Sequence, residues 1–261
     1  MNSIQNNIDI IKDLDTIIEE ESYDQLKHIR NLFRKRKLKF PPRIRVYMTD
    51  NFYLPNGSIV YYDKNKKVIL LNRQAVRESI SKIISIYNEK NSNHIKLIFV
   101  PQTYQLLSGN HTKKKNIIMI PLDSSPYNDI IKNYVKFLLL HAIWSSMLDT
   151  ENLGLPEKIK EYIIYTLSIL SYYQTSSTQS GLINKGIFTT IYNTMECTDV
   201  LESATSLINE DPFTLGTCTA YYLLIKNEPN KINLKDIYRK LINDPYYFLK
   251  NIQNNTNNTF L

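Results

Sequence analysis

Apolar residues recur three and four positions apart at the start of the chain: Ile4, Ile8, Ile11, Leu14, Ile17 and Ile18. Side chains at that spacing share a helix face, which predicts one or two helices over residues 2–39. The acidic triplet Glu19-Glu20-Glu21 follows. A basic second helix then runs from Tyr23 to about Leu38, with Leu26, Ile29, Leu32 and Phe33 on its apolar side. Pro41-Pro42 ends it, because proline lacks an N–H and restricts the residue before it. The period then falls to two. Residues 43–48 alternate as a half-buried strand, and Leu54-Pro55-Asn56-Gly57 is turn chemistry. Two β-rich runs, 58–62 and 67–71, flank the polar stretch 63–66 and predict a hairpin. Residues 74–87 read as a helix, with Val76, Ile80, Ile83, Ile84 and Tyr87 in register. Residues 95–100 and 117–122 read as strands around a turn or short helix (103–110) and a polar loop (111–116).

From 125 the pattern is helical. Ser125 suits an N-cap, Pro126 the first helical position and Asp129 the positive end of the helix dipole. This helix runs to about Leu148 and is apolar on nearly every side, so it is expected to be buried. Gly154 and Pro156 separate it from a second helix striped by Ile159, Tyr162, Ile163, Thr166, Leu167 and Leu170. A polar loop at 174–181 follows, then helices near 183–195, 215–226 and 234–241, a short one at 245–252, and a disordered tail from 254. The fold class is therefore α+β: N-terminal helices, a small mixed sheet with one helix, then a mostly helical C-terminal half. The expected division is a basic helical extension (1–40), an α/β sheet subdomain (41–125), a helical subdomain (126–252) and a tail (253–261).

Composition narrows the classes. With 261 residues, 43% hydrophobic and 22% charged, the chain is not a disordered polyelectrolyte. The net charge of +7 suits acidic partners. The excess is local: Arg30, Arg34, Lys35, Arg36, Lys37, Lys39, Arg43 and Arg45 fall in one stretch, with Phe33 and Phe40 interleaved for stacking. Arg34-Lys35-Arg36-Lys37 fits a nuclear-localisation pattern. No helix-turn-helix, zinc-finger or RNP signature accompanies it. Asp9, Lys12, Asp13 and Asp15 interrupt any signal-peptide core, and Lys132, Lys136 and His141 argue against a membrane span at 130–148. Cys197 and Cys218 are expected as buried, reduced thiols of an intracellular protein, cytoplasmic or else nuclear or virion-associated. Heavy use of Ile, Asn, Lys and Tyr suggests an AT-rich genome, a virus among the candidates.

One constellation carries chemistry. The apolar helix holds Leu140-His141-Ala142-Ile143-Trp144-Ser145, and a Leu155-Pro156-Glu157-Lys158-Ile159-Lys160-Glu161 segment follows. The order of elements over about 43–250 resembles the zincin metallopeptidases, in particular the gluzincin (peptidase MA-like) group. In that family the active helix reads His-Glu-x-x-His, and a later helix, often opening with Leu-Pro, supplies a Glu as third zinc ligand. The resemblance aligns His141 with the first His and Glu161 with the third ligand. Ala142 stands in place of the general base and Ser145 in place of the second His. Two ligands are fewer than a catalytic zinc needs, and without the carboxylate nothing local deprotonates water. Read without the resemblance, His141 is a buried, hydrogen-bonded histidine, and Glu161 forms a helix pair with Lys158.

There is no Gly-x-Ser-x-Gly elbow and no phosphate-binding Gly-x-x-x-x-Gly-Lys. The leading expectation is an inactive zincin-like protein that binds a protein partner or forms part of a larger assembly, with no cofactor. One alternative is a nucleic-acid-binding accessory protein using 30–45. The other is an active metal hydrolase, in which zinc on His141 and Glu161 would need a further ligand from His94, His111 or Asp149.

Overall fold

The computed structural model describes residues 14–41, 44–50, 54, 59–90, 126–151, 153–176 and 185–257. The expected strands 95–100 and 117–122, the segment 103–116, Ser125, Arg43, His94 and His111 lie outside the described residues. The chain is α+β, with an N-terminal helix, a small mixed sheet and a mostly helical C-terminal half. It forms two compact units, Met1–His28 with Pro41–Ala142, and Ile29–Phe40 with Ile143–Leu261.

In the first unit, helix α1 (Leu14–Lys35) contributes its part up to His28. Strands β1 (Arg45–Thr49), β2 (Val60–Asp63) and β3 (Val68–Asn72) form a sheet in the order β1-β3-β2. β1 runs parallel to β3, and β2 antiparallel to it. Alternation sends Ile69 and Leu71 of β3 into the core, where both are fully buried. Helix α2 (Arg73–Lys90) follows β3 directly and buries Val76 and Ile80. Its start is capped by Asn72, whose Oδ1 accepts from Ala75 N at 3.0 Å. Helix α3 (Pro126–Glu151) adds its part up to Ala142, burying Tyr134, Val135 and 137–140.

The second unit is a helical assembly around α7 (Pro212–Lys226), packed by α4 (Glu157–Ser176), α5 (Lys185–Thr194) and α6 (Cys197–Ser203). Helices α8 (Leu234–Asn243) and α9 (Tyr247–Asn257) complete it. α7 starts sharply because Asp211 Oδ2 accepts from Thr214 N at 2.9 Å and Thr214 Oγ1 at 2.6 Å. Gly216 lets α7 approach α4 closely: a Cβ there would lie 2.8 Å from Tyr162 O and 2.9 Å from Tyr165 Cβ. Several buried polar groups of these two helices are hydrogen-bonded. Tyr173 and Tyr221 share a hydrogen bond of 2.9 Å between hydroxyls, and Thr166 Oγ1 donates to Tyr162 O at 2.9 Å. Phe33 is fully buried, 5.0 Å from the Trp144 ring, and Trp144 Nε1 donates to Ser171 Oγ at 3.0 Å.

Four expectations are corrected. Cys197 and Cys218 are joined as a disulfide, Cα atoms 5.1 Å apart, linking α6 to α7. Their spacing of 21 residues says nothing about such proximity; the short helix α6, unmarked by any apolar stripe, creates it. Thiol chemistry therefore gives no support to a reducing compartment. The basic helix does not start anew at Tyr23 but continues from Leu14 through the acidic triplet, since glutamate is a good helix former and no Pro or Gly interrupts. Gln174 belongs to α4 rather than a loop: its buried amide donates to Pro229 O at 2.6 Å and Ile232 O at 2.8 Å. Helix α9 continues to Asn257, into the expected tail.

Candidate functional site

The residues aligned with a zincin motif lie on α3 and α4. His141 and Ser145 are four apart and share one face of α3, both half-buried. The His141 ring lies 6.4 Å from that of Phe137, one turn earlier. Ala142 is 2% exposed and Trp144 fully buried, so the helix spends its neighbouring face on the core. Ser146 Oγ turns back to its own helix, donating to Ile143 O at 2.7 Å. His141 and Ala142 belong to the first unit, Ser145 and Glu161 to the second.

Around Glu161, Gly154 adopts a left-handed φ of 61°, and Pro156 O accepts from Ile159 N and Lys160 N as α4 begins. Glu161 itself is half-buried. Lys160 pairs with Glu157 at 3.6 Å and with Asp149 at 3.8 Å. Asp149, one of the three side chains named as a further ligand for an active metal site, is thus paired with a lysine. Among the described residues, no three His, Cys, Asp or Glu side chains stand together in a way that could hold a metal ion. A serine hydroxyl is a poor substitute for imidazole as a zinc ligand, and a buried methyl takes no proton from water.

The basic run divides by role. Arg34 and Lys35 sit in the last turn of α1, where they complement the negative end of its dipole. Arg36 Nη2 donates to Asn230 O at 2.8 Å, and Arg30 lies over the Phe40 ring at 5.4 Å. Arg34, Lys35, Lys37 and Lys39 are exposed. Phe33 is not offered for base stacking; it is core, edge-on to Phe40 at 5.6 Å. Arg45 is exposed on β1, in the first unit.

Two features were not anticipated as functional. Lys136 on α3 is 4% exposed, and burial pulls its amine down to about 7, helped by the charge of Lys132 and opposed by Glu21. Glu21 in turn accepts from Gln25 Nε2 at 3.2 Å. A lysine inside an otherwise apolar helical run was the available signal. The second is a cluster of buried tyrosines in the second unit. Burial holds the Tyr162 hydroxyl up at about 12 and pushes Tyr173 and Tyr221 higher, so all stay neutral.

Compared with known families, curated proteins and solved structures, the chain has no match.

Proposed function

We propose that the protein acts by binding, as a non-catalytic component of a larger assembly, on a zincin-like frame that has lost its chemistry. The observation that supports this most is the α3 face itself. The position aligned with the general base is an alanine packed into the core, and the position aligned with the second ligand is a serine. A hydrolytic water needs a carboxylate within hydrogen-bond reach and a metal with three protein ligands. The test is turnover of casein and of a mixed peptide substrate by the full chain with added zinc. The expected rate equals that of buffer and is unchanged by His141→Ala. Chelator-sensitive turnover that disappears in His141→Ala overturns the proposal.

A second reading is supported by the exposure of Arg34, Lys35, Lys37 and Lys39 in one short stretch. These cations would contact nucleic-acid phosphates without reading sequence. Charge reversal at Arg34 and Lys35 is expected to weaken oligonucleotide binding and flatten its salt dependence. Unchanged affinity rejects this second reading.

A further inference from the structure

The sheet of the first unit has one face in the core and one that is not. On the second face, the strand register aligns Tyr47 of β1, Leu70 of β3 and Tyr61 of β2 in a single row, because each tyrosine is the direct partner of Leu70. The neighbouring row is Arg45, Val68 and Asp63. Tyr47 is 47% exposed and Tyr61 is half-buried. With strands about 4.8 Å apart, the two rings stand about 10 Å from each other across Leu70. Each can carry its own planar group.

The end of this face nearest the β2–β3 turn is basic. Arg45 is exposed, and so are Lys64, Lys66 and Lys67 of the turn. Asp63, the carboxylate of that row, is committed to the turn: its Oδ1 accepts from Asn65 N at 2.9 Å and Lys66 N at 3.0 Å, and its Oδ2 lies 3.9 Å from Lys66 Nζ. Arg45 and Tyr47 are two residues apart on β1 and so share a face, which places the cationic row next to the aromatic one.

We propose that this face is a platform for single-stranded nucleic acid, with bases stacking on Tyr47 and Tyr61 and phosphates held by Arg45 and the lysines of the β2–β3 turn. Aromatic rings beside cations on an open sheet suit a polyanion whose planar groups are unstacked. A duplex keeps its bases paired and stacked away from such rings. An acidic peptide would use the cations and leave the tyrosines idle. The platform uses none of His141, Ala142, Ser145 and Glu161, so its failure leaves the non-catalytic reading standing, and the reverse also holds.

The experiment is fluorescence anisotropy of the full chain with a 12-nucleotide oligo(dT), a 12-nucleotide oligo(rU) and the corresponding duplex, at two salt concentrations. Single strands are expected to bind more tightly than the duplex. Tyr47→Ala and Tyr61→Ala are each expected to weaken single-strand binding about tenfold, within the roughly 5- to 150-fold range of one lost stacking contact. Tyr47→Phe keeps the ring and is expected to keep most of the affinity. Photocrosslinking of the unsubstituted protein to a halogenated oligonucleotide is expected to mark Tyr47 or Tyr61, which covers the case of a variant that fails to fold. The proposal is overturned by absence of binding at low salt. It is equally overturned by full affinity in the Tyr47→Ala, Tyr61→Ala double variant, by equal affinity for the duplex, or by crosslinks confined to 34–39.

Discussion

Replacing Lys136 by methionine is expected to stabilise the protein, and to do so most at acidic pH. The amine is buried, and burial lowers it from 10.5 to about 7. Unfolded, the same amine keeps its ordinary value, so between pH 7 and pH 10.5 the unfolded chain holds a proton that the folded chain has released. Stability from this group therefore rises with pH across that window and is flat outside it. Each pH unit is worth ~1.4 kcal/mol, so burying the cation costs about 5 kcal/mol at pH 6 and about 2 kcal/mol at pH 9. Methionine fills a similar volume without the charge. Packing differences act equally at both pH values and cancel in the comparison. Urea denaturation of both proteins is the assay: the gain on Lys136→Met is expected to be about 3 kcal/mol larger at pH 6 than at pH 9. Glu21→Gln removes the carboxylate that supports the cation and is expected to extend the same dependence to lower pH. A gain that does not vary with pH, or a loss that is largest at pH 6, refutes a buried amine of lowered affinity for protons.

Gly216→Ala would place a methyl 2.8 Å from a backbone oxygen of α4, which cannot rotate away; a loss of ~1–3 kcal/mol is expected in denaturant melts, and no loss would mean that α4 and α7 are not in this contact. Reduction of Cys197–Cys218, or its replacement by serines, frees a loop spanning 21 positions and is expected to cost about 3 kcal/mol from restored chain entropy, read as a lower denaturation midpoint with reductant. An unchanged midpoint, together with two titratable thiols in the untreated protein, would exclude the bridge. Phe33→Ala is expected to cost ~3–5 kcal/mol of stability, since the ring is core against Trp144; lost oligonucleotide binding in a fully stable variant would instead return Phe33 to a stacking role.

Elements with a strong period were legible. The two-residue alternation and the polar break at 63–66 located the hairpin, and apolar stripes located α2, α3, α4 and α8. Local signals reached no further than local structure. Nothing in the residues of 197–203 marks a helix, and so nothing placed Cys197 against Cys218. Phe33 had two readings in the sequence, on the apolar side of its helix with Leu26, Ile29 and Leu32 and, among cations, as a stacking residue; its burial against Trp144 decides for the first. The Tyr47–Leu70–Tyr61 row depends on β1 pairing with β3 rather than with its neighbour in sequence, a register that no spacing encodes. His141, Ala142, Ser145 and Glu161 were legible as positions on two helices, which the structure supplies as α3 and α4.

Zinc stoichiometry of the purified full chain, measured by elemental analysis beside His141→Ala after incubation with zinc and desalting, bears most directly on the proposal of a non-catalytic, zincin-like frame. The expected result is substoichiometric zinc in both proteins. One zinc per chain in the unsubstituted protein, removed by His141→Ala, would contradict it.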